Sequence, residues 1–372
     1  MKGLQHVSKV SQRIRRIAVT TGGGDAPGLN AVIRAITMSA LNRGWEVFGI
    51  RCGYCGLITG EPCVRLNRNT VRDIAHLGGT ILGTTNRINP FEFRARYPRS
   101  SRRCLAAKIV VGELKRHRID CLIAVGGDGS MNIAHRLGGM GVRVIGVPKT
   151  IDNDLHGTER TFGFDTAVST ATECIDKLHC TAQAHSRVMV VEVMGRHAGW
   201  IALHAGVSAS ANVILIPEIL YDFRKITTFL LERKRNGRPY AIVVVAEGAK
   251  ERDKSAIFQK KKEKGHEPLL GGAGQYLANC IGKATGMDTR ALVLGHIQRG
   301  GSPTTFDRLL ALRYGAAAVR MAEAGQWGQM VSFRPPRMVA TPIEAAIRER
   351  KCVDVTSDTV LTARELGVCL GD

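Results

Sequence analysis

The segment 147–157, VPKTIDNDLHG, places a lysine and two aspartates within six positions, directly after the apolar run 142–147. Asp152 could take a proton from a hydroxyl group, Asp154 could hold a metal ion, and Lys149 offers a positive point charge for a phosphate. The same residues could instead form an Asx-turn with a capping aspartate. The pattern therefore indicates either phosphoryl chemistry or a polar turn.

Two glycine-rich turns, TTGGGDAPGLN (20–30) and GGDGS (126–130), precede helix-like segments. Glycines let backbone N–H groups approach an anion at a helix amino terminus, although the first segment could also be a plain tight turn. Pro27 breaks the G-x-G-x-x-G dinucleotide pattern, and no Gly-Lys-Ser/Thr of a Walker loop appears. Asp128 in the second turn could hold Mg²⁺ with substrate phosphates, or cap the helix that begins near Met131.

Two further segments, HSRVMVVEVMGRHAGW (185–200) and DTRALVLGHIQRGGSP (288–303), carry an arginine at each end of a strand-like run. Guanidinium groups suit bidentate contact with phosphate or carboxylate, and His296 is a further donor. A single surface arginine is usually solvated. Four arginines at strand ends, in a chain with two turns that resemble phosphate-binding turns, indicate an anionic substrate. They are Arg187, Arg196, Arg290 and Arg299.

Alternating strand and helix patterns must position these residues. Six apolar runs predict buried strands: IAVTT at 17, CLIAV at 121, VRVIGV at 142, RVMVVEV at 187, AIVVVAE at 241 and ALVLGHI at 291. Helical patterns begin at Asn30 and Asp165 and cover the stretch 104–118. The alternation predicts an α/β fold with mainly parallel sheets. Each polar cluster follows a strand, so we expect them to meet at the carboxyl edges of the sheets, in one or two clefts.

Bulk composition limits the class of protein. The 372 residues are 44% hydrophobic and 23% charged, which is typical of a globular protein of two domains. No apolar run is long enough for a spanning helix, and no secretory signal is evident. We therefore expect a cytoplasmic protein without a membrane partner. The basic segment 1–16 resembles an organellar transit peptide only weakly, and a solvated tail is the favoured interpretation.

Ten cysteines without regular spacing indicate reduced thiols, because Cys52 and Cys55 form a C-x-x-C with no second pair at a zinc-site interval. The net charge of +21 favours anionic partners in general. Aromatic residues are only 5%, and no nucleic-acid-binding pattern appears, so no specific nucleic acid is expected. The dense basic stretch 250–265 is interpreted as a solvated loop.

In this order, the motifs resemble those of the phosphofructokinase family. The resemblance runs from GGGDAPGLNAVIR through LGGTILGTTNR, GGDGS, PKTIDND, MGRHAG and LGHIQRGGSP to the terminal LGVCLGD. It implies two Rossmann-like domains with the active site in the cleft between them. Residues 1–163 with about 298–348 would bind the phosphoryl donor, and about 164–297 with 349–372 would bind fructose 6-phosphate. The product would be fructose 1,6-bisphosphate, formed in glycolysis.

The resemblance also implies a role for each matching residue. Asp152 is the expected base, with Thr150 and Arg196 beside the transferring group, and Asp128 and Asp154 are the expected Mg²⁺ ligands. The donor phosphates would meet Gly23, Arg87, Asp128, Gly129, Ser130 and Lys149. The sugar phosphate would meet Thr150, Asp152, Met194, Gly195, Arg196, Glu247, His296 and Arg299. Arg187 and Arg290 would reach the site of a neighbouring subunit, which implies a homo-oligomer, at least a dimer and possibly a tetramer.

The donor is ATP or pyrophosphate in this family. Pyrophosphate enzymes tend to carry aspartate at the position of Gly129 and lysine at that of Lys149, whereas many bacterial ATP enzymes have glycine at both. Gly129 leaves room for a nucleotide α-phosphate, so ATP is favoured, and Lys149 fits either donor. Ile133 stands where many ATP enzymes have glycine, which favours pyrophosphate.

The basic effector cluster of bacterial ATP enzymes is not matched, because the corresponding positions are Met38, Pro62 or Cys63, and His179. Allosteric control of that kind is therefore not expected. NAD kinases and lipid kinases share only the GGDG turn. A basic nucleic-acid or polyphosphate binder would account for the charge but not for the ordered carboxylates.

Overall fold

The computed structural model describes residues 14–96, 103–252, 258–260 and 269–372. Most of the basic amino-terminal tail and of the stretch 250–265 lies outside the described residues. The strands are β1 Arg16–Thr21, β2 Glu46–Ile50, β3 Val64–Leu66, β4 Arg94–Arg96, β5 Arg103–Leu105, β6 Cys121–Gly126, β7 Val144–Pro148, β8 Val188–Val193, β9 Val213–Leu215, β10 Ala241–Ala246, β11 Phe258–Lys260, β12 Leu269–Leu270, β13 Thr289–Val293, β14 Gln329–Arg334 and β15 Arg337–Pro342.

Helices alternate with most of these strands. They are α1 Leu29–Leu41, α2 Cys55–Thr59, α3 Ala106–Arg116, α4 Asp128–Gly139, α5 Phe164–Ala184, α6 Trp200–Ser208, α7 Phe223–Arg235, α8 Ala273–Thr285, α9 Thr305–Glu323, α10 Ile343–Arg348 and α11 Asp358–Glu365, with a 3₁₀ helix at Gly295–Arg299.

The first sheet has seven strands in the order β15-β14-β7-β6-β1-β2-β3. Its inner pairs are parallel, and only the pairs β14·β15 and β2·β3 at its two edges are antiparallel. Every residue of β6 and β7 is buried, as expected where helices cover both faces of a parallel sheet. On one face, α1 packs against α9, so a late helix completes the core around the earliest strand.

The second sheet has four parallel strands in the order β13-β8-β10-β9. Apolar residues of α5, α6 and α11 cover one face, and those of α7 and α8 cover the other. Because β14 and β15 return to the first sheet after β13 has completed the second, the chain passes between the two sheets more than once. The division into two discontinuous domains at the stated boundaries stays a prediction.

The six predicted strands all occur, and the α/β class is confirmed. One prediction extends too far: the run 291–297 leaves strand geometry after Val293 and forms a 3₁₀ helix from Gly295. The sequence reading also missed β2, β9 and the hairpin β14–β15. These strands are short, as β9 is, or carry polar residues, as β2, β14 and β15 do, so none of them gives a long apolar run.

All ten cysteines are free thiols, as predicted. Cys52 and Cys55 are not part of a larger set of metal-binding side chains. Among the described residues there is no group of three or more His, Cys, Asp or Glu side chains that could hold a metal ion. The described helices include none with both the length and the apolar character that a bilayer span requires.

Candidate active site

The loop after β1 is fixed by contacts at both its N–H groups and its carbonyl groups. The N–H of Gly22 donates to the Val125 carbonyl (2.9 Å), and that of Gly23 donates to the Thr85 carbonyl (3.1 Å). These two amides are therefore already hydrogen-bonded within the protein, in contrast to the predicted anion cradle. The next two carbonyls accept from cations, Gly24 from Lys149 Nζ and Asp25 from an Arg299 guanidinium nitrogen (3.0 Å).

The segment that carries Arg87 lies against this loop. Thr84 Oγ1 donates to the Gly23 carbonyl (2.7 Å), and the exposed Arg87 follows three residues later. The buried side chain of Asn30 holds the preceding turn, because its amide donates to the carbonyls of Leu77 and Gly78 and its oxygen accepts the N–H of Ile81 (2.8 Å). Asn30 thus positions the Arg87 segment, a role that the sequence reading did not assign.

The GGDGS turn leads into α4, which begins at Asp128 and is preceded by Gly127 at the N-cap. No side chain caps this helix, so the alternative interpretation of Asp128 as a cap is wrong. Its carboxylate is 41% exposed and lies 4.0 Å from the Arg350 guanidinium. Ser130 is buried, with its side chain against Gly22 and Gly126. A Cβ at Gly129 would meet no atom within 4 Å, so this position borders open space.

The turn after β7 is built by neighbours of the two aspartates. Thr150 Oγ1 accepts the N–H of Asp152 (3.1 Å), which makes the turn a threonine turn and leaves both carboxylates out of its construction. Asn153 is buried in the left-handed region (φ 51°), and its side chain accepts the N–H of Thr161 (3.0 Å). Asparagine tolerates that conformation better than most residues, a signal in the sequence that could have identified Asn153 as the pivot between Asp152 and Asp154.

Charged side chains of both signs surround Asp152. Burial raises its pKa, and Glu247 raises it further, whereas Arg299, Lys149 and Arg196 lower it. Burial, and then the nearby charge of Asp152, raises the pKa of Asp154 to about 6. Lys149 is buried, and its pKa falls to about 8 because of burial and of the neighbouring Arg299. Groups with shifted pKa values in one cleft are typical of catalytic sites.

The second sheet supplies the opposite wall. Gly195, at φ 140°, follows β8, and the Gly248 N–H donates to its carbonyl (3.1 Å), which draws the segments after β8 and β10 together. Burial and the charge of Glu192 raise the pKa of Glu247, which Arg196 and Arg299 oppose. Met194 and Arg196 are half-buried beside these groups. The structure therefore brings Met194, Gly195, Arg196, Glu247 and Arg299 to the wall that faces Asp152 and Lys149.

The 3₁₀ helix after β13 carries the exposed His296 and the half-buried Arg299. Gln298, between them, is fully buried; it accepts the N–H of Met194 (3.3 Å) and donates to the Gly295 carbonyl (3.0 Å). This amide locks the turn onto the end of β8 and thereby orients Arg299. Sequence reasoning missed Gln298, although a glutamine between two predicted ligands could have suggested it.

Arg187 and Arg290 lie at the opposite edge of the second sheet, at the amino ends of β8 and β13. Asp288 pairs with both, at 2.5 Å from Arg187 and 2.6 Å from Arg290. The structure therefore does not bring these two arginines to the Asp152 cleft of the same chain. Their position agrees with a role at a neighbouring subunit.

The donor set at the cleft fits a magnesium ion. Asp128 and Asp154 are carboxylates, and the charges of Asp152 and then Asp128 contribute to the raised pKa of Asp154. Two carboxylates completed by substrate phosphate oxygens and water are the set that Mg²⁺ prefers, and the cation would relieve this like-charge repulsion.

Four residues were compared above with positions that distinguish ATP from pyrophosphate enzymes or that bind effectors. Each of them has an ordinary structural role in this chain. Ile133, on α4, is half-buried and packs on the hydrophobic core beneath that helix, so only part of its side chain faces outward. Met38 and Cys63 also pack on core residues, and the His179 ring contacts the Ala209 carbonyl (2.7 Å). These three residues form no basic cluster in this chain.

Comparisons with known proteins extend over nearly the whole chain. The family model described as phosphofructokinase matches residues 16–322. The ATP-dependent 6-phosphofructokinase of Chloroflexus aurantiacus is 47% identical over 366 residues, which are 98% of this chain and 99% of that protein. The solved phosphofructokinase of Pichia pastoris in the T-state has a TM-score of 0.77 at 30% identity, over 96% of this chain and 37% of that chain. A pyrophosphate-dependent phosphofructokinase from Marinobacter aquaeolei, at 22% identity, has a TM-score of 0.78 over 96% of this chain and 88% of that chain, and it shows the fold alone.

Proposed function

The chain belongs to the phosphofructokinase family, and from that premise we propose that it transfers the terminal phosphoryl group of ATP to the 1-hydroxyl of fructose 6-phosphate. The products are fructose 1,6-bisphosphate and ADP, and the reaction serves glycolysis in the cytoplasm. The observation that carries this proposal is the convergence on Asp152 of Lys149, Arg196 and Arg299, supplied by the carboxyl ends of strands from both sheets.

Asp152 is the proposed catalytic base. Burial raises the pKa of its carboxyl group, which makes the ionised form a stronger acceptor for the proton of the sugar hydroxyl than an exposed aspartate would be. Arg299 and Lys149 oppose this shift, since both favour the charged form of the carboxyl group. The Thr150 hydroxyl accepts the N–H of Asp152 and so fixes the backbone from which the carboxylate extends.

The cations of the cleft stabilise the transferring group. Charge spreads over the phosphoryl oxygens in the transition state, and preorganised donors in a site with little water stabilise it strongly. We assign Arg196 and Lys149 to this task, with Thr150 beside them. Asp128 and Asp154 would hold Mg²⁺, which supplies charge neutralisation on the donor phosphates.

The donor phosphates would lie between the β1 loop, the Arg87 segment and the start of α4, next to Gly23, Gly129 and Ser130. The sugar phosphate would lie against the second sheet and contact Met194, Gly195, Glu247, His296 and Arg299. Its remaining cations, Arg187 and Arg290, come from a neighbouring subunit in this proposal. The working enzyme is thus a homo-oligomer of two or more chains.

Two facts favour ATP over pyrophosphate. The relative at 47% identity is named ATP-dependent, and the open space at Gly129 leaves room for an α-phosphate. The decisive experiment measures formation of fructose 1,6-bisphosphate by the purified protein with Mg²⁺ and either ATP, ADP or pyrophosphate. We expect activity with ATP, and activity with pyrophosphate alone would overturn the donor assignment.

A pair of variants on α4 tests the reason for that preference. Gly129→Asp places a carboxylate where the α-phosphate would lie, so we expect KM for ATP to rise by about tenfold or more through charge repulsion. Gly139→Asp adds the same side chain at the other end of α4, where a Cβ also meets open space, and should leave KM for ATP unchanged. Equal effects of the two substitutions would contradict the assignment of the donor site to the start of α4.

A further inference from the structure

An open pocket of about 470 Å³ lies between α9 and the hairpin β14–β15. Three of its six lining residues are arginines, namely Arg313, Arg320 and Arg337, and the others are Leu312, Ala316 and Met338. None of these residues belongs to the proposed catalytic cleft. The volume is within the range of small-molecule sites, about 300–1,000 Å³.

The pocket is built from one face of a helix and the edge of a sheet. Positions 312, 316 and 320 are four residues apart, and position 313 is three residues before 316. All four therefore lie on the same side of α9. Leu312 and Met338 pack on the hydrophobic core below, so the floor is part of the folded framework. Arg337 begins β15 and extends the wall from the sheet side.

The three guanidinium groups are not neutralised by carboxylates. Throughout the described ranges, none of the three arginines forms an ion pair, whereas Glu323, one turn beyond Arg320, is paired with Arg43 (2.8 Å). Arg313 is held in place, since it donates to the Pro336 carbonyl and lies over the Phe333 ring at 5.1 Å. Arg320 and Arg337 are exposed. Positive charge collected in one concave place attracts anions and disfavours cations.

The chemistry of the lining defines the ligand class. Guanidinium groups match the oxygens of a phosphate in paired hydrogen bonds, and the floor of Leu312, Ala316 and Met338 suits an uncharged organic group. We propose that this pocket binds a small phosphorylated molecule, with its phosphate between Arg313, Arg320 and Arg337. The site is a second anion-binding site, separate from the catalytic cleft, and it uses part of the large positive charge of the chain.

The test measures binding of inorganic pyrophosphate by calorimetry, in buffer without Mg²⁺, to the full chain and to charge-matched variants. Arg320→Gln with Arg337→Gln removes two pocket charges. Arg235→Gln with Arg238→Gln removes two exposed charges at the end of α7, in the other half of the molecule. The catalytic cleft contributes equally to all titrations, since none of the four residues belongs to it.

We expect the pocket variant to lose one class of binding sites, or to bind there at least about tenfold more weakly, while the α7 variant matches the unsubstituted protein. A third variant, Ala316→Glu, keeps every arginine but places a carboxylate on the floor, one turn before Arg320, and should abolish the same binding. Turnover with fructose 6-phosphate and ATP should be unchanged in all three variants, which also verifies that each is folded.

Identical titrations of all proteins would overturn the proposal. An equal loss in the pocket and α7 variants would overturn it as well, because that outcome shows general attraction by net charge instead of a site.

Discussion

The two edges of the second sheet use the same residue types under opposite conditions. At the carboxyl edge, Arg196 and Arg299 meet Glu247 and Asp152, and burial raises the pKa of both carboxyl groups. At the amino edge, the side chains of Arg187 and Arg290 are 30% and 57% exposed and share Asp288, whose pKa is lowered by its hydrogen bond with Arg187. Carboxyl groups at the first edge are desolvated beside the arginines, whereas the Asp288 carboxylate at the second edge is hydrated and paired with both of its arginines.

The largest effect should come from the proposed base of the carboxyl edge cleft. Asp152→Asn keeps the shape of the side chain but removes the base, so we expect kcat to fall by about 10²- to 10⁴-fold. KM for fructose 6-phosphate should change little, because the arginines remain. Steady-state kinetics with ATP and Mg²⁺ check this expectation. Near-normal turnover would exclude Asp152 from the mechanism. The buried charges of the carboxyl edge would then have no special role compared with those of the amino edge.

The amino edge is tested by mixing subunits. Arg290→Gln should raise KM for fructose 6-phosphate by about tenfold or more, because it removes a charged contact to the sugar phosphate in the neighbouring chain. At low fructose 6-phosphate, co-expressed Arg290→Gln and Asp152→Asn chains should show more activity than either variant shows alone. In a random dimer with two shared sites, about one quarter of the sites would be wholly unsubstituted. If isolated mixed oligomers show no recovery, Arg290 does not contribute to the Asp152 site of a neighbouring subunit. It then acts in the site of its own chain or in no active site.

A smaller effect should follow pH at the carboxyl edge. Lys149 has a pKa of about 8, so its charge is present at pH 7 and is lost as the pH rises toward 9. We expect kcat/KM for the donor to fall over that interval. Lys149→Met should remove this component of the profile, and Lys149→Arg, which stays charged, should also flatten it. A wild-type component that persists in both variants would assign the titration to another group.

The lowered pKa of Lys149 also affects the free energy of unfolding. Unfolding returns Lys149 to its ordinary pKa near 10.5, so the unfolded chain binds the proton more tightly between pH 8 and 10.5. The contribution of Lys149 to folding therefore becomes less unfavourable as the pH rises through that window. Lys149→Met should raise the unfolding temperature at pH 7, because it replaces a buried charge with an apolar side chain. Thermal unfolding followed by circular dichroism measures the shift, and an unchanged or lower temperature would contradict it.

The smallest effect is expected at the amino edge. Asp288→Asn removes an exposed partner of two arginines, and exposed ion pairs contribute little to folding. The unfolding temperature should stay near that of the unsubstituted protein, while KM for fructose 6-phosphate should fall modestly because both arginines are released for the substrate. A large drop in unfolding temperature would show that this edge is a structural ion pair and would weaken the comparison.

Much of this arrangement follows from the sequence, for identifiable reasons. The strands β6, β7 and β10 are apolar throughout, and β8 is apolar except for Glu192, so their existence and the polar clusters at their carboxyl ends could be predicted. The family resemblance supplied the roles of individual residues and the ATP preference, which composition alone does not give.

Other features depend on contacts distant in sequence and could not be predicted. Asn30 acts on residues about 50 positions later, and Gln298 acts on Met194, more than 100 positions earlier. From the sequence we predicted that the amides of the loop after β1 would bind an anion, because a sequence does not reveal that the Val125 and Thr85 carbonyls accept from Gly22 and Gly23. The arginine pocket is also absent from any linear pattern, since a helix and a later strand each contribute part of it.

The passage of the chain between its two sheets has a mechanical consequence. Asp152 lies on the segment that leaves β7 for α5, and Arg299 lies on the segment that returns from β13 to α9. Both segments connect one sheet to the other. Any rotation of one sheet against the other would therefore bend the segments that carry the proposed base and one of its proposed cations. Closure of the cleft and alignment of the base with its cations would then be a single movement, with no separate lid required.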